Sequence, residues 1–367
     1  MEKKLNSVCF FVVFVSLILF SFPTFSQVNK DININTLLDA TLIQFRDSLG
    51  INSEEYCAVA LNVADYSLLQ TDYTKSLNIL IELLPSAKIV YGNEHLNYLL
   101  IKHRLAKTYM LIDPRSSQAL KMYLELDDEI YNIVGEKHPE YLNLQGNLAQ
   151  IYTNLSETNK ALQIYLELDA PMQDEYGEKS IEYITFQRNY AYLKGIMGDT
   201  EGALSIHLKN LKQTKKEVGK KHLKYLIGLN HVGVAYFNIG DFDKSLEYLL
   251  EANKLSKEVV GKCHSRKIGI IWNISEAYRI KSDFPKTLLF LKEYQELQRE
   301  RFKIYEHNLN IGLRNQLYDD LVMVYRRILE LSIDDKDLIK EQYSQHCFLK
   351  GREMSRINQI SSIIHES

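Results

Sequence analysis

Apolar positions along this chain fall in short stripes with helical spacing, and the stripes themselves return about every 42 residues. Each stripe opens with an apolar or aromatic residue, follows it at once with a small one and, in most cases, places a tyrosine three positions further on. The stripes read Val63, Ala64, Ser67; Leu105, Ala106, Tyr109; Leu148, Ala149, Tyr152; Tyr190, Ala191, Lys194; Val232, Gly233, Tyr236; and Ile274, Ser275, Tyr278. An i, i+1, i+4 spacing makes one face of an α-helix apolar, and the small member leaves room for a second helix to approach closely. That second helix has its own mark, a small residue before leucine: Ser76-Leu77, Ala119-Leu120, Ala161-Leu162, Ala203-Leu204, Ser245-Leu246 and Thr287-Leu288. The pattern predicts an all-α chain of about six helix pairs.

Between the paired helices stand Ser156-Glu157, Gly198-Asp199, Gly240-Asp241 and Ser282-Asp283. Each supplies a helix stop and then a capping side chain. One unit has Asp113-Pro114-Arg115 instead, and its extra residue accounts for a step of 43 from Gly92 to Gly135. Successive pairs are joined by a recurring phrase: YGNEHLNY, VGEKHPEY, YGEKSIEY, VGKKHLKY and VGKCHSRK, with glycines at 92, 135, 177, 219 and 261, and Gly50 one period upstream. A register that survives a one-residue insertion is a true repeat. Stacked units of this sort offer a surface rather than a reaction centre, so binding is the default expectation.

The small, aromatic, turn and small-leucine positions, recurring in phase over residues 50–302, resemble tetratricopeptide repeats. The long period and the Gly-x-x-His before most first helices are similar to the kinesin-light-chain type. The resemblance implies a right-handed α-solenoid whose first helices line a concave groove. Ser180, Lys194 and Lys267 depart from the pattern.

Twelve residues after each glycine stand Asn62, Arg104, Asn147, Asn189, His231 and Asn273. At about 100° per residue this column points roughly opposite the apolar stripe, toward the groove. Asparagine is a mediocre helix former, so four in mid-helix call for a cause. Three readings are open: a ladder between neighbouring repeats, solvated surface, or amides holding an extended peptide backbone through their paired donor and acceptor. The family resemblance implies the last. Beside the column lie Lys107, Gln150, Tyr192, Val234 and Glu276 three residues on, and His103, Arg188 and Trp272 one residue before. Trp272, the single tryptophan, suits either a partner anchor or a packed position. The mixed polarity of these residues suits a peptide or protein partner of no single charge.

His95, His138, His222 and His264 recur three residues after the glycine. Repeats stack at helix-packing distances of about 8–10 Å, whereas metal ligands converge at about 2 Å, so these histidines are expected to cap helix starts rather than hold a metal. No cofactor-binding motif is present. The chain has no Gly-x-Ser-x-Gly, no Cys-x-x-Cys, no His-Glu-x-x-His and no phosphate-cradling glycine loop. His346 and Cys347 are adjacent, about 100° apart on a helix, and do not make a catalytic pair. The expectation is a protein that is not an enzyme.

At the N-terminus Lys3 and Lys4 precede an apolar run over residues 8–22 and the small-residue segment Thr24-Phe25-Ser26. This reads as a secretory signal over residues 1–26. The run of fifteen residues is short of the roughly 20 that a spanning helix needs, so retention as an anchor is the lesser reading. Residues 27–49 form a helical lead-in. Beyond 302 the period lapses into two long helical stretches, 308–331 and 335–364, expected to cap the solenoid. There CFLKGREMSRINQI resembles the connector preceding the caspase-like domain of exported repeat proteins with a CHAT module. No residue here carries that domain's dyad, which leaves a shortened relative, a stand-alone adaptor or one part of a split system.

The formal net charge is −3, with acidic and basic side chains nearly balanced, which predicts no nucleic-acid footprint. Besides Cys9 the chain has Cys57, Cys263 and Cys347, far apart and odd in number, so a disulfide framework is not expected. The location expected from the signal is the periplasm or cell surface.

Overall fold

The computed structural model describes residues 34–262, 264–305, 319–324, 327, 328, 330 and 331. The signal segment, Cys263, His346, Cys347 and most of the expected C-terminal cap lie outside them. Thirteen helices are described from end to end: α1 Ile34–Leu49, α2 Glu54–Leu69, α3 Tyr73–Tyr91, α4 Leu96–Ile112, α5 Ser117–Val134, α6 Pro139–Asn154, α7 Thr158–Tyr176, α8 Ile181–Ile196, α9 Thr200–Val218, α10 Leu223–Asn238, α11 Phe242–Val259, α12 Ser265–Ile280 and α13 Phe284–Tyr305; the described residues from 319 to 331 are helical too, and no described residue lies in a strand.

Two compact units divide at Gly240. In the first, each helix from α1 to α10 packs on the next, and the first helices of successive pairs also touch directly, α2 with α4, α4 with α6 and α6 with α8. That is the consecutive packing of an α-solenoid. In the second unit α11 packs on α12 and α12 on α13, and Ile268, Ile271, Leu291, Leu297, Val324 and Ile328 form its core.

Repetition of local physics sets these elements. The small residue of every first-helix stripe is buried, with Ala64, Ala106, Ala149, Ala191 and Ser275 fully so. The small residue opening each second helix is buried too. Large side chains fill the space between, Leu80, Tyr123, Tyr165 and Leu249 at one recurring position. Removing apolar surface of this size from water stabilises the fold by about 1.5–3 kcal/mol per side chain.

Helix ends follow the phrases. His95, His138, His222 and His264 each accept, through Nδ1, the backbone N–H two residues on, at 3.1, 3.2, 3.0 and 3.1 Å. Ser53 and Ser180 do the same work with a hydroxyl at the starts of α2 and α8. Second helices are capped by Asp72, Ser116, Asp199, Asp241 and Asp283. Glu157 is the exception to the expected capping: it makes no side-chain cap bond and pairs with Lys160 Nζ at 2.5 Å instead. Its carboxylate stands one methylene too far from the backbone for the cap geometry.

Gly92, Gly135, Gly177 and Gly219 close second helices at φ between 79° and 83° with ψ from 148° to 174°, a region that only glycine enters without strain. Gly261 departs from the expected anchor role. The stop there is made by Val260 at φ −132°, and Gly261 has no positive φ.

Candidate functional site

First helices present the polar column as a half-buried row, and the row is cross-linked from one repeat to the next. Arg104 Nε reaches Asp65 Oδ1 at 3.3 Å, Asn147 Nδ2 lies 2.9 Å from His103 Nε2, and Asn189 Nδ2 donates to Gln150 Oε1 at 3.4 Å. Each bond joins a column residue to a side chain on the preceding first helix. Of the three readings, the ladder is therefore present in the structure. It does not exhaust the amides: the bonds of Asn147 and Asn189 each use one of the two donors an asparagine side chain offers.

Around the row the sequence-derived candidates separate. Asn62, Lys107 and Gln150 are half-buried beside it, and Tyr192 is 50% exposed. Burial and then the Arg104 guanidinium lower the Lys107 ammonium from its usual range, against the pull of Asp65 and Glu140. His103 does not line a groove as expected. It is fully buried, edge-on to Tyr123 with centroids 5.8 Å apart, and burial, then Arg104 and Lys107, hold its pKa well below the ordinary value. Within the second unit Asn273 is half-buried, and Trp272 packs on Tyr294 at 5.2 Å against the local core. That tryptophan is a packed residue. Glu276 pairs with Arg279 at 2.9 Å.

At α8, α9 and α10 the row changes character. His231, which replaces asparagine in the column, stacks on His207 with centroids 5.3 Å apart and planes 20° from parallel. His207 is 6% exposed; burial first and Arg188 second push its pKa down to about 4. Both rings line a shallow cleft, about 330 Å³ when the open solvent at its mouth is counted, together with Thr185, Arg188, Asn210, Thr214 and Lys224. Both also border a second, partly open space beside Tyr192 and Gly195. The sequence reading passed over His207, Asn210 and Gly228. Their signal was available: His207 stands where other repeats place Leu80, Tyr123, Tyr165, Leu249 and Leu291, and Gly228 where they place Val59, Ile101, Leu144, Phe186 and Ile270, all buried.

Neither a protein-family profile nor a curated protein matches the chain. Solved structures do. Nearly identical TPR-like repeats of a kinesin light chain from Podosopora anserina align with 16% identity over 54% of this chain and 93% of that one, at a TM-score of 0.42. A tetratricopeptide repeat protein from Parabacteroides merdae aligns at 13% identity over 79% and 98%, TM-score 0.46. A Rap protein complexed with Competence and Sporulation Factor aligns at 12% over 89% and 99%, TM-score 0.49. The chain resembles tetratricopeptide-repeat proteins. Among its described residues no group of three or more histidine, cysteine or carboxylate side chains is placed to hold a metal ion, and no helix is long and apolar enough to cross a membrane.

Proposed function

We propose that this chain is a non-catalytic scaffold of the periplasm or cell surface that holds a peptide or protein segment along its row of first helices. One observation carries the reading: α2, α4, α6 and α8 touch in sequence, which sets Asn62, Arg104, Asn147 and Asn189 side by side as a graded polar strip. Half-buried amides with hydrogen-bonding capacity beyond the ladder suit an extended backbone, which presents donors and acceptors in alternation. The Rap structure contains a bound factor by its own description; for the present chain a bound segment is this proposal. Export rests on the N-terminal signal pattern, and N-terminal sequencing of the secreted form should begin at Gln27.

Selection of ligands from a random peptide library on the immobilised full chain tests the binding reading. The recovered peptides should lose at least tenfold in affinity for a chain carrying Asn147→Ala and Asn189→Ala with an unchanged melting temperature. Equal affinity for that variant, or no enrichment at all, would overturn it.

A further inference from the structure

Two departures from the repeat coincide at the junction of α8, α9 and α10. His207 takes a position that five other units fill with leucine or tyrosine, and Gly228 takes one that five others fill with a buried apolar side chain. A titratable imidazole thus enters where the other units have leucine or tyrosine, and volume is removed beside it. Leu211 recovers part of that volume, since its Cδ1 lies 2.9 Å from where a Cβ on Gly228 would stand. The rest is the cleft. Its polar lining is Thr185, Arg188, His207, Asn210, Thr214, Lys224 and His231, which joins two fixed cations, two imidazoles, an amide and two hydroxyls, with no carboxylate.

Each element packed there contributes. From α8 come Arg188 and Thr185, from α9 His207 and Asn210, and from α10 Lys224 and His231. Lys224 Nζ donates to Thr185 Oγ1 at 3.4 Å across α8 and α10, and Asn210 Nδ2 donates to the Ile184 carbonyl at 3.4 Å, which fixes the walls. We propose that this cleft is a binding site for one oxyanion, a carboxylate or a phosphate, received by Arg188 and Lys224 and hydrogen-bonded by the His207–His231 pair. Guanidinium forks match both oxyanions in geometry.

Protonation of His207 follows from the same geometry. Arg188 adds to burial in keeping His207 neutral. An anion beside the ring reverses the local field and favours imidazolium, so binding takes up a proton and strengthens as pH falls. The site does not depend on the peptide reading, because a free anion is a sufficient ligand.

Histidine-selective isotope labelling of the full chain, followed by titration with inorganic phosphate and separately with a capped Ala-Glu-Ala tripeptide, tests it. The His207 and His231 resonances should shift saturably, and the tripeptide, whose carboxylate stays ionised across the range, should bind about tenfold more tightly at pH 5.5 than at pH 7.5. Arg188→Gln and, independently, Lys224→Gln should each weaken binding about tenfold with no change in melting temperature. His207→Leu, which restores the side chain of three other repeats, should abolish the pH dependence. Saturation by phosphate alone assigns a free anion; saturation by the tripeptide assigns an acidic side chain of a partner. Absence of saturable shifts with both ligands, or shifts unchanged in both Gln variants, would overturn the site.

Discussion

Replacing His207 by leucine should make the protein less sensitive to acid by a predictable amount. In the folded chain the ring is buried and its pKa stands at about 4, whereas an unfolded chain restores a value of about 6.5. Below pH 6.5 the unfolded state therefore binds a proton that the folded state refuses. Stability is intact above that pH, falls as pH drops, and stops falling on this account once pH passes below about 4. Integrated from pH 7 to pH 5, this one group withdraws about 2 kcal/mol. Leucine has no proton to take up, and the position already accepts it in three other repeats as Leu80, Leu249 and Leu291.

Urea denaturation followed by circular dichroism, in MES and piperazine buffers free of carboxylate and phosphate, reads the difference. Wild type should lose about 2 kcal/mol more than His207→Leu between pH 7 and pH 5. His103 titrates in the same direction, since burial also holds it neutral, but its contribution is common to both chains and cancels. An equal loss in the two proteins would show that His207 is not held neutral by the fold. The reasoning about the α8–α10 junction would then fail with it.

The helix caps give a second set of expectations. His138→Ala removes the acceptor 3.2 Å from the Glu140 N–H and should cost about 1 kcal/mol in urea denaturation, with His138→Ser retaining most of it because Ser180 fills the same role in the next unit. The turns predict opposite signs for two glycine exchanges. Ser156 sits at φ 64°, so Ser156→Gly should raise stability by up to about 1 kcal/mol. Gly135→Ala, at φ 79° and ψ 172°, should lower it by about 1–3 kcal/mol. Thermal and urea midpoints of the four variants check all of these.

What could be read from the sequence was whatever steric and backbone physics imposes on every unit. Small residues where helices cross, glycines at a backbone conformation closed to other residues, and a histidine or serine beside each first-helix start were legible because they recur in phase. Glu157 misled because glutamate and aspartate look alike as helix-start acids, yet one methylene decides whether the carboxylate reaches the amide. The direction of the asparagine column followed from 100° per residue, but its ladder depends on how close α2, α4, α6 and α8 lie, a tertiary distance that no single helix encodes. The histidine junction was hidden for a different reason. A repeat is recognised by what its units share, and a position that differs in one unit looks like noise until its neighbours in space also differ. His207 and Gly228 are 21 positions apart and each alone is an ordinary lapse from the pattern. Only the packing of α9 against α8 and α10 shows that a lost side chain and a gained imidazole border one cleft with Arg188 and Lys224. In a chain whose common positions build the scaffold, the coincident exceptions mark where one unit can do something the others cannot.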